Sequence, residues 1–271
     1  MIKRAIRRIT CAALILIFIM PLIMTVASSL MSSEELSAIY NKNNSFRWIP
    51  YQVTLEGYWR LLFESDAYLS TFWNSMFIAL SSTILQVTFS LIVGYALTRV
   101  NFRGKGMLNA MYILMMLMPF QVTLLPNYML AKRIGIYDTW LALILPNAFA
   151  AFGVVLMREF IKGISGEVLE AAYMDTSSNL RVMLSIVAPN IYAGALTLAV
   201  ITFAESWNMV EQPLILLESE WLYPLSLRLT ALEESALDIY FAGAVLYVIP
   251  AVLIYLIFRD ELVEGITQIR M

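Results

Sequence analysis

Apolar runs long enough to cross a bilayer recur along nearly the whole chain, and no other feature restricts the fold as strongly. In hydrocarbon every backbone amide and carbonyl must find a partner inside the protein, so a crossing segment has to be a helix or a strand of a closed barrel. A helical crossing takes about 20 mostly apolar residues. Six stretches qualify: 9–30, 74–97, 108–125, 139–157, 183–204 and 239–258. The composition agrees, with 60% hydrophobic and 14% charged residues and a mean hydropathy of +0.74. The sequence therefore predicts an all-α membrane protein with six transmembrane helices. Val26-Ala27-Ser28 faintly resembles a signal-peptidase site, but the apolar region before it exceeds the ~15 residues of a signal core, so a retained span is predicted.

Charge orients the spans. With the N-terminus inside, Lys3, Arg4, Arg7, Arg8, Arg99, Arg103, Lys105, Arg158, Lys162, Arg181, Arg259 and Arg270 all face inward, twelve of the 18 Lys and Arg. Lys42, Arg47, Arg60, Lys132, Arg133 and Arg228 fall outside, and the positive-inside rule puts both termini in the cytoplasm. Lys132-Arg133 is the local dissent, next to a turn signalled by Gly135 and Asp138. The resulting organisation is 1–31 as N-terminal end and first span, 32–72 as an outer segment, 73–260 as a five-span core, and 261–271 as a cytoplasmic tail. The outer segment holds Glu34, Glu35, Trp48, Pro50 and Tyr58, too aromatic for a plain linker and too short for a domain; it reads as an ordered cap. A second outer stretch, 205–238, is rich in Glu and includes Glu233 and Glu234.

Most catalytic chemistry has no raw material here. The chain has no histidine, and its single cysteine is Cys11, so metal clusters, disulfides and Cys/His or Ser/His nucleophiles are not expected. An intramembrane aspartyl pair is hinted at only by Tyr137-Asp138, without a partner motif. No G-x-x-x-x-G-K-[ST] stretch occurs, so the chain does not bind ATP through such a loop.

One polar interruption stands out between two apolar runs on the inner side: EAAYMDTSSNL, Glu170 to Leu180. Ser165 is a plausible N-cap, with Glu167 adding a favourable charge at the positive helix end. Val168, Leu169 and Ala172 share one side at three- and four-residue spacing, with Glu170 and Tyr173 at its edge. Asp175-Thr176-Ser177 reads as a turn that caps a second helix ending near Pro189. Ala171 and Ala172 allow close approach of another protein, and Glu170 offers a charged handle. A helix that only lies on lipid remains the alternative.

This segment resembles the EAA loop of bacterial ABC-importer permeases, and more of the chain agrees with the carbohydrate, maltose-permease-like branch. Asn74-Ser75-Met76 is similar to that family's start, GYALTRVNFRGK to its first inner loop, and MPFQVTLLPNYMLAKRIGIYDTWLALILP to its central pattern. Trp207-Asn208 followed by Pro213-Leu214 also fits. The resemblance covers roughly residues 70–267. It implies a cytoplasmic coupling helix at about 165–175, with Glu170, Ala171, Ala172, Asp175 and Thr176 engaging an ATPase. It further implies a second permease as heterodimer partner, two ABC ATPases that bind ATP and Mg, and an extracellular or lipid-anchored solute-binding protein. The setting is a bacterial inner membrane, with lipid as neighbour and no nucleic acid. No catalytic residue, metal or cofactor is expected in this chain. The family has Gly where Thr176 stands, which would permit positive φ, and usually a small basic tail that Gln268-Ile269-Arg270-Met271 lacks.

Under this reading a sugar path draws on polar or aromatic residues at span ends: Gln86, Gln121, Asn127, Asn147, Glu205, Trp207 and Asn208. Each could instead hydrogen-bond one helix to another. An ABC permease for a non-sugar solute, or one used in export or signalling, shares every coupling feature. An ion-coupled secondary transporter is disfavoured, because that class carries ionisable residues near mid-span and this chain keeps its charges at span ends.

Overall fold

A computed structural model of the chain describes residues 2–41, 49–230 and 236–268. Trp48, Glu233, Glu234 and the tail from 269 onward lie outside the described residues. Within them the chain is helical and contains no strand. In order come α1 (Ile2–Ser29), α2 (Ser33–Asn41), α3 (Glu56–Trp59) prolonged by a π turn (Arg60–Glu64), α4 (Asp66–Arg99), α5 (Lys105–Met116) and α6 (Phe120–Ile134). There follow α7 (Leu141–Ala148), α8 (Ala151–Lys162), α9 (Gly166–Asp175), α10 (Asn179–Val182), a π turn (Met183–Val187), α11 (Ala188–Asn190) and α12 (Tyr192–Trp207). The chain then forms α13 (Glu211–Leu216), a 3-10 turn (Glu220–Leu222), α14 (Leu225–Thr230) and α15 (Leu237–Gln268).

Four apolar stretches are long enough to cross a membrane without a sharp bend: Thr10–Ser29, Ala67–Arg99, Leu141–Lys162 and Leu237–Val263. The expected third and fifth spans are bent instead. α5 and α6 meet at 106°, and the α10–α11 segment meets α12 at 79°. The first bend follows from Met118-Pro119: proline disfavours helical backbone in the residue before it, and Pro119 itself is extended at ψ 140°. Counting each bent pair as one span restores six.

The chain divides into two compact units, Met1–Thr71 with Arg228–Pro250, and Phe72–Leu227 with Ala251–Met271. In the first, the strand-like stretch after α2 returns to α1, where Thr54 N–H donates to the Leu30 carbonyl at 3.0 Å. The Ser29 and Tyr58 hydroxyls are 2.8 Å apart, and the Tyr51 amide donates to the Glu35 carboxylate at 3.1 Å. The strongest tie is ionic: Arg60 Nη1 lies 2.8 Å from Asp238 Oδ2, with Asp238 1% exposed. Its other carboxylate oxygen is buried without a partner among the described residues.

The second unit has two apolar clusters. Ile78, Ala142, Leu143, Ile144, Leu216 and Leu222 belong to one; Tyr95, Met157, Phe160, Ile161, Leu169, Ala172 and Leu198 to the other. Both engage α4, and at about 1.5 Å per residue Ile78 and Tyr95 stand roughly 25 Å apart along it, near opposite ends of a span. α8 packs on α5 and α12. The α8–α12 contact needs Gly194, because a Cβ there would sit 2.5 Å from the Phe160 ring; such small residues let helices approach closely in lipid. Basic residues finish the helices at the Tyr95 end. Arg99 Nη2 donates to the Ile161 carbonyl at 2.7 Å and the Ile164 carbonyl at 3.0 Å, and Lys105 Nζ donates to those of Thr98 and Val100 at 2.9 and 3.1 Å. Both supply donors and positive charge to helix C-termini that lack them.

Removing one partner of a buried ion pair leaves a charge unpaired and costs about 3–5 kcal/mol. Arg60→Met is expected at the lower end of that range, because Arg60 is about one third exposed. Thermal unfolding of the detergent-solubilised protein should show a lower midpoint for Arg60→Met. The double variant Arg60→Met/Asp238→Leu should recover most of the loss.

Candidate functional site

Two features of the second unit gather polar side chains in an otherwise apolar setting: a cavity, and the elbow formed by α9 and α10.

The cavity has a volume of about 800 Å³ and is walled by the ends of α5, α6, α7, α8, α12 and α13. It exists because helices break there. The Met118-Pro119 bend turns α6 away from α5, and between α7 and α8 the backbone leaves helix at Phe149 (φ −103°, ψ 16°) and Ala150 (ψ 133°). Non-helical backbone at membrane depth is tolerated where it lines a cavity. Asn127 on α6, Asn147 on the last turn of α7, Glu205 on the last turn of α12 and Gln212 on α13 line the space together. Gln212 Nε2 donates to Asn147 Oδ1 at 3.4 Å, while Gln212 Oε1 is buried with no partner among the described residues. Aromatic surface comes from Phe120, Phe149 and Phe152.

Of the seven path residues expected from sequence, the cavity brings together three, Asn127, Asn147 and Glu205. Trp207 does not line the cavity: it is 0% exposed, stacked on Phe203 at 5.7 Å and edge-on to Phe72 at 5.7 Å, packed between helices. Asn208 also lies outside the cavity lining; its Nδ2 donates to the Ala204 carbonyl at 2.8 Å at the end of α12. Gln86 is buried at 3% exposed within α4, and Gln121 is exposed away from the cavity wall. Gln212 was missed, although a glutamine beside Pro213 in an apolar stretch meets the same criterion.

The α6–α7 turn fixes one wall. Gly135 (φ 77°) and Asp138 (φ 58°) both take left-handed backbone, which glycine and aspartate accept at least cost. Asp138 then staples the turn to the end of α13: Oδ2 accepts from the Ser219 hydroxyl at 2.6 Å, and Oδ1 from the Ser219 and Glu218 amides at 2.9 Å each. The Ser219 hydroxyl, followed by its amide, holds the Asp138 carboxyl below its ordinary value. Lys132 is accounted for by its rings, with Nζ 4.7 Å from the Tyr128 centroid and 4.5 Å from that of Tyr137, a cation–π arrangement.

In the elbow, α9 starts after Ser165 as expected, but the Ser165 side chain makes no capping bond. The cap of the second helix is Ser178, whose hydroxyl accepts from the Arg181 amide at 3.4 Å, rather than the Asp175-Thr176-Ser177 run. Thr176 sits in extended backbone (φ −155°, ψ 137°). The turn has no positive φ here, so a β-branched residue suits it where glycine was expected. A polar triangle ties the elbow to α4: the Tyr95 and Tyr173 hydroxyls are 2.6 Å apart, and they donate to Asn179 Oδ1 at 3.3 and 3.2 Å. Leu169 and Ala172 are buried in the adjoining apolar cluster. Ala172, expected to face an ATPase, packs in this chain's own apolar cluster instead and is 8% exposed. Val168 is exposed rather than grouped with them. Glu170, Ala171 and Asp175 are exposed, and Met174 is 88% exposed.

Residues 86–268 match the model of the binding-protein-dependent transport system inner membrane component family. The chain is 26% identical over 254 residues to the arabinooligosaccharides transport system permease protein of Halalkalibacterium halodurans, covering 93% of this chain and 90% of that one. It is 28% identical over 228 residues to the trehalose transport system permease protein of Mycobacterium tuberculosis, covering 81% and 82%. The fold superposes on a chain of a bacterial ABC transporter involved in the import of the acidic polysaccharide alginate, with TM-score 0.83, 20% identity and 96% of each chain covered.

Replacing Asp138 by Ala should lower the thermal midpoint near neutral pH. A carboxyl held low in the folded state stabilises it above the unfolded value of 3.8, and that contribution fades as pH falls through the lower folded value. The gap between Asp138→Ala and the parent protein should hold from neutral pH down toward the unfolded value of 3.8 and narrow below it. Detergent-phase melting curves across that range measure it.

Proposed function

The chain belongs to the binding-protein-dependent transport system inner membrane component family, and on that premise we propose that it is the permease subunit of an ATP-driven sugar or oligosaccharide importer in a bacterial cell membrane. It pairs with a second permease, receives solute from a solute-binding protein, and is driven by two cytoplasmic ATPases that carry the nucleotide chemistry. The translocation core is 73–260, with both termini in the cytoplasm. The carbohydrate-transport relatives support the solute class, and the cavity with Asn127, Asn147, Glu205 and Gln212 supports a path through this subunit.

The observation that carries the reading is the elbow. α9 is anchored on its inner side by Tyr95, Tyr173 and Asn179, yet leaves Glu167, Glu170, Ala171 and Met174 exposed. These fall at three- and four-residue spacing along one edge, an acidic and apolar strip fitted to a basic, apolar groove. A strip meant only for lipid headgroups would carry Lys or Arg instead. The anchor lets force on that strip reach α4 and α8 directly.

Glu170→Lys reverses the handle's charge, and Ala171→Trp adds bulk on the exposed edge. Either should reduce ATPase co-purification by roughly tenfold, an effect of about 1.4 kcal/mol, and should abolish solute-stimulated hydrolysis in liposomes. Ala172→Trp is no test of docking, because Ala172 lies in the chain's own core. Retention of wild-type assembly and stimulation by both exposed variants would reduce the elbow to an interfacial helix. The orientation has its own test: a single cysteine at position 178 in a Cys11→Ser background should resist an impermeant thiol reagent in intact cells and react in inverted vesicles. Labelling from outside would overturn the topology.

A further inference from the structure

We infer that the cavity selects uncharged glycans over anionic ones, and that Glu205 sets this selectivity. The inference rests on the sugar-transport reading and specifies the solute class of the same site.

Glu205 is the only formally charged residue among the described residues lining the cavity, and no Lys or Arg lines it. Its carboxylate has no hydrogen-bond or ion-pair partner among the described residues, although the neighbouring Asn147 and Gln212 amides are joined to each other. Every other polar side chain in the wall is neutral: Thr123, Asn127, Asn147 and Gln212. A carboxylate is an acceptor-only group with two oxygens, matched to a pair of adjacent sugar hydroxyls that both donate. Gln212 is 7% exposed, and its Oε1 is buried and unpartnered, a second acceptor suited to a hydroxyl donor. The amide groups of Asn127 and Asn147 can donate to ring or glycosidic oxygens, and the Phe149 and Phe152 rings offer surface for the apolar face of a pyranose.

A uronate or sulfonate sugar in this space meets the opposite situation. Its anion would lie against Glu205 in a cavity where no Lys or Arg among the described residues compensates it. Two like charges at contact range in such a medium repel strongly, and an unpaired like charge is an efficient means of rejecting the wrong ligand. A cationic amino sugar would be tolerated on the same grounds.

Equilibrium dialysis of the complete transporter, purified without its solute-binding protein so that only the membrane subunits select, tests the assignment. The probes are radiolabelled neutral hexose and pentose oligosaccharides and the corresponding uronate oligosaccharides at millimolar concentration. Neutral probes should bind at least about tenfold more tightly than uronates. The near-isosteric Glu205→Gln should erase most of that ratio, and Glu205→Arg should invert it. If Glu205→Arg fails to assemble, the Glu205→Gln ratio decides. Uronates bound as tightly as neutral sugars, or a ratio unchanged in Glu205→Gln, would overturn the selectivity while leaving sugar binding intact. Binding of no sugar of either kind would remove the sugar-path reading itself, and this inference with it.

Discussion

The backbone hydrogen bond in a solvent that offers none governs where this chain can be irregular. Every helix end and every break at membrane depth has to be provided for from within the protein, and the structure answers in two ways. At the Tyr95 end, long basic side chains serve the last carbonyls: Arg99 reaches those of Ile161 and Ile164, and Lys105 reaches those of Thr98 and Val100. The residues that create the charge bias are thus also the caps. Elsewhere the irregular backbone is turned toward a cavity, as at Phe149 and Ala150. A cavity lined by polar side chains and a tolerated break in the helix ladder are consequences of the same constraint.

The elbow illustrates how a small element can be held rigid. α9 has only 10 residues, too few to be stable in isolation, so its rigidity must come from packing. Leu169 and Ala172 supply the apolar half of that packing. The Tyr95, Tyr173 and Asn179 triangle supplies the polar half, joining α4, α9 and α10. Because the same cluster includes Met157 and Ile161 of α8 and Leu198 of α12, a displacement of α9 cannot be absorbed locally in a close-packed interior. The π turn at Met183–Val187 and the bend after Asn190 then set where the following segment changes direction.

The helices themselves were legible because apolar length is a strong signal: the first span was read to within one residue at each end, while Ala67–Arg99, Leu141–Lys162 and Leu237–Val263 each run five to seven residues beyond the expected bound at one end. The 106° bend was not, because hydropathy is blind to direction. Met118-Pro119 announced a restricted dihedral, but the same dipeptide also occurs where a helix merely starts. The helical site residues divided by geometry. Composition marks Trp207 and Asn147 equally as polar-capable groups near span ends, yet one is enclosed by Phe203 and Phe72 and the other lines a cavity. Ala171 and Ala172 are indistinguishable in sequence, and a rotation of one residue, about 100°, sends the first outward and the second into the core.

The distribution of charge also bears on which transport chemistry the fold can host. An ion-coupled carrier needs a titratable or cation-binding group that changes its state during the cycle, held near mid-span. In the second unit Arg99 and Lys105, near helix ends, are committed to backbone carbonyls, and Arg158 and Lys162 to Glu159 at 2.6 and 3.0 Å. The cavity wall offers amides and one carboxylate but no cation. Such a wall offers hydrogen-bonding groups to hydroxyls and, among the described residues, no cation to pair an anion. The exposed acidic edge of α9, joined to α4 through the Tyr95, Tyr173 and Asn179 contacts, is the surface on which the proposed coupling to an ATPase rests.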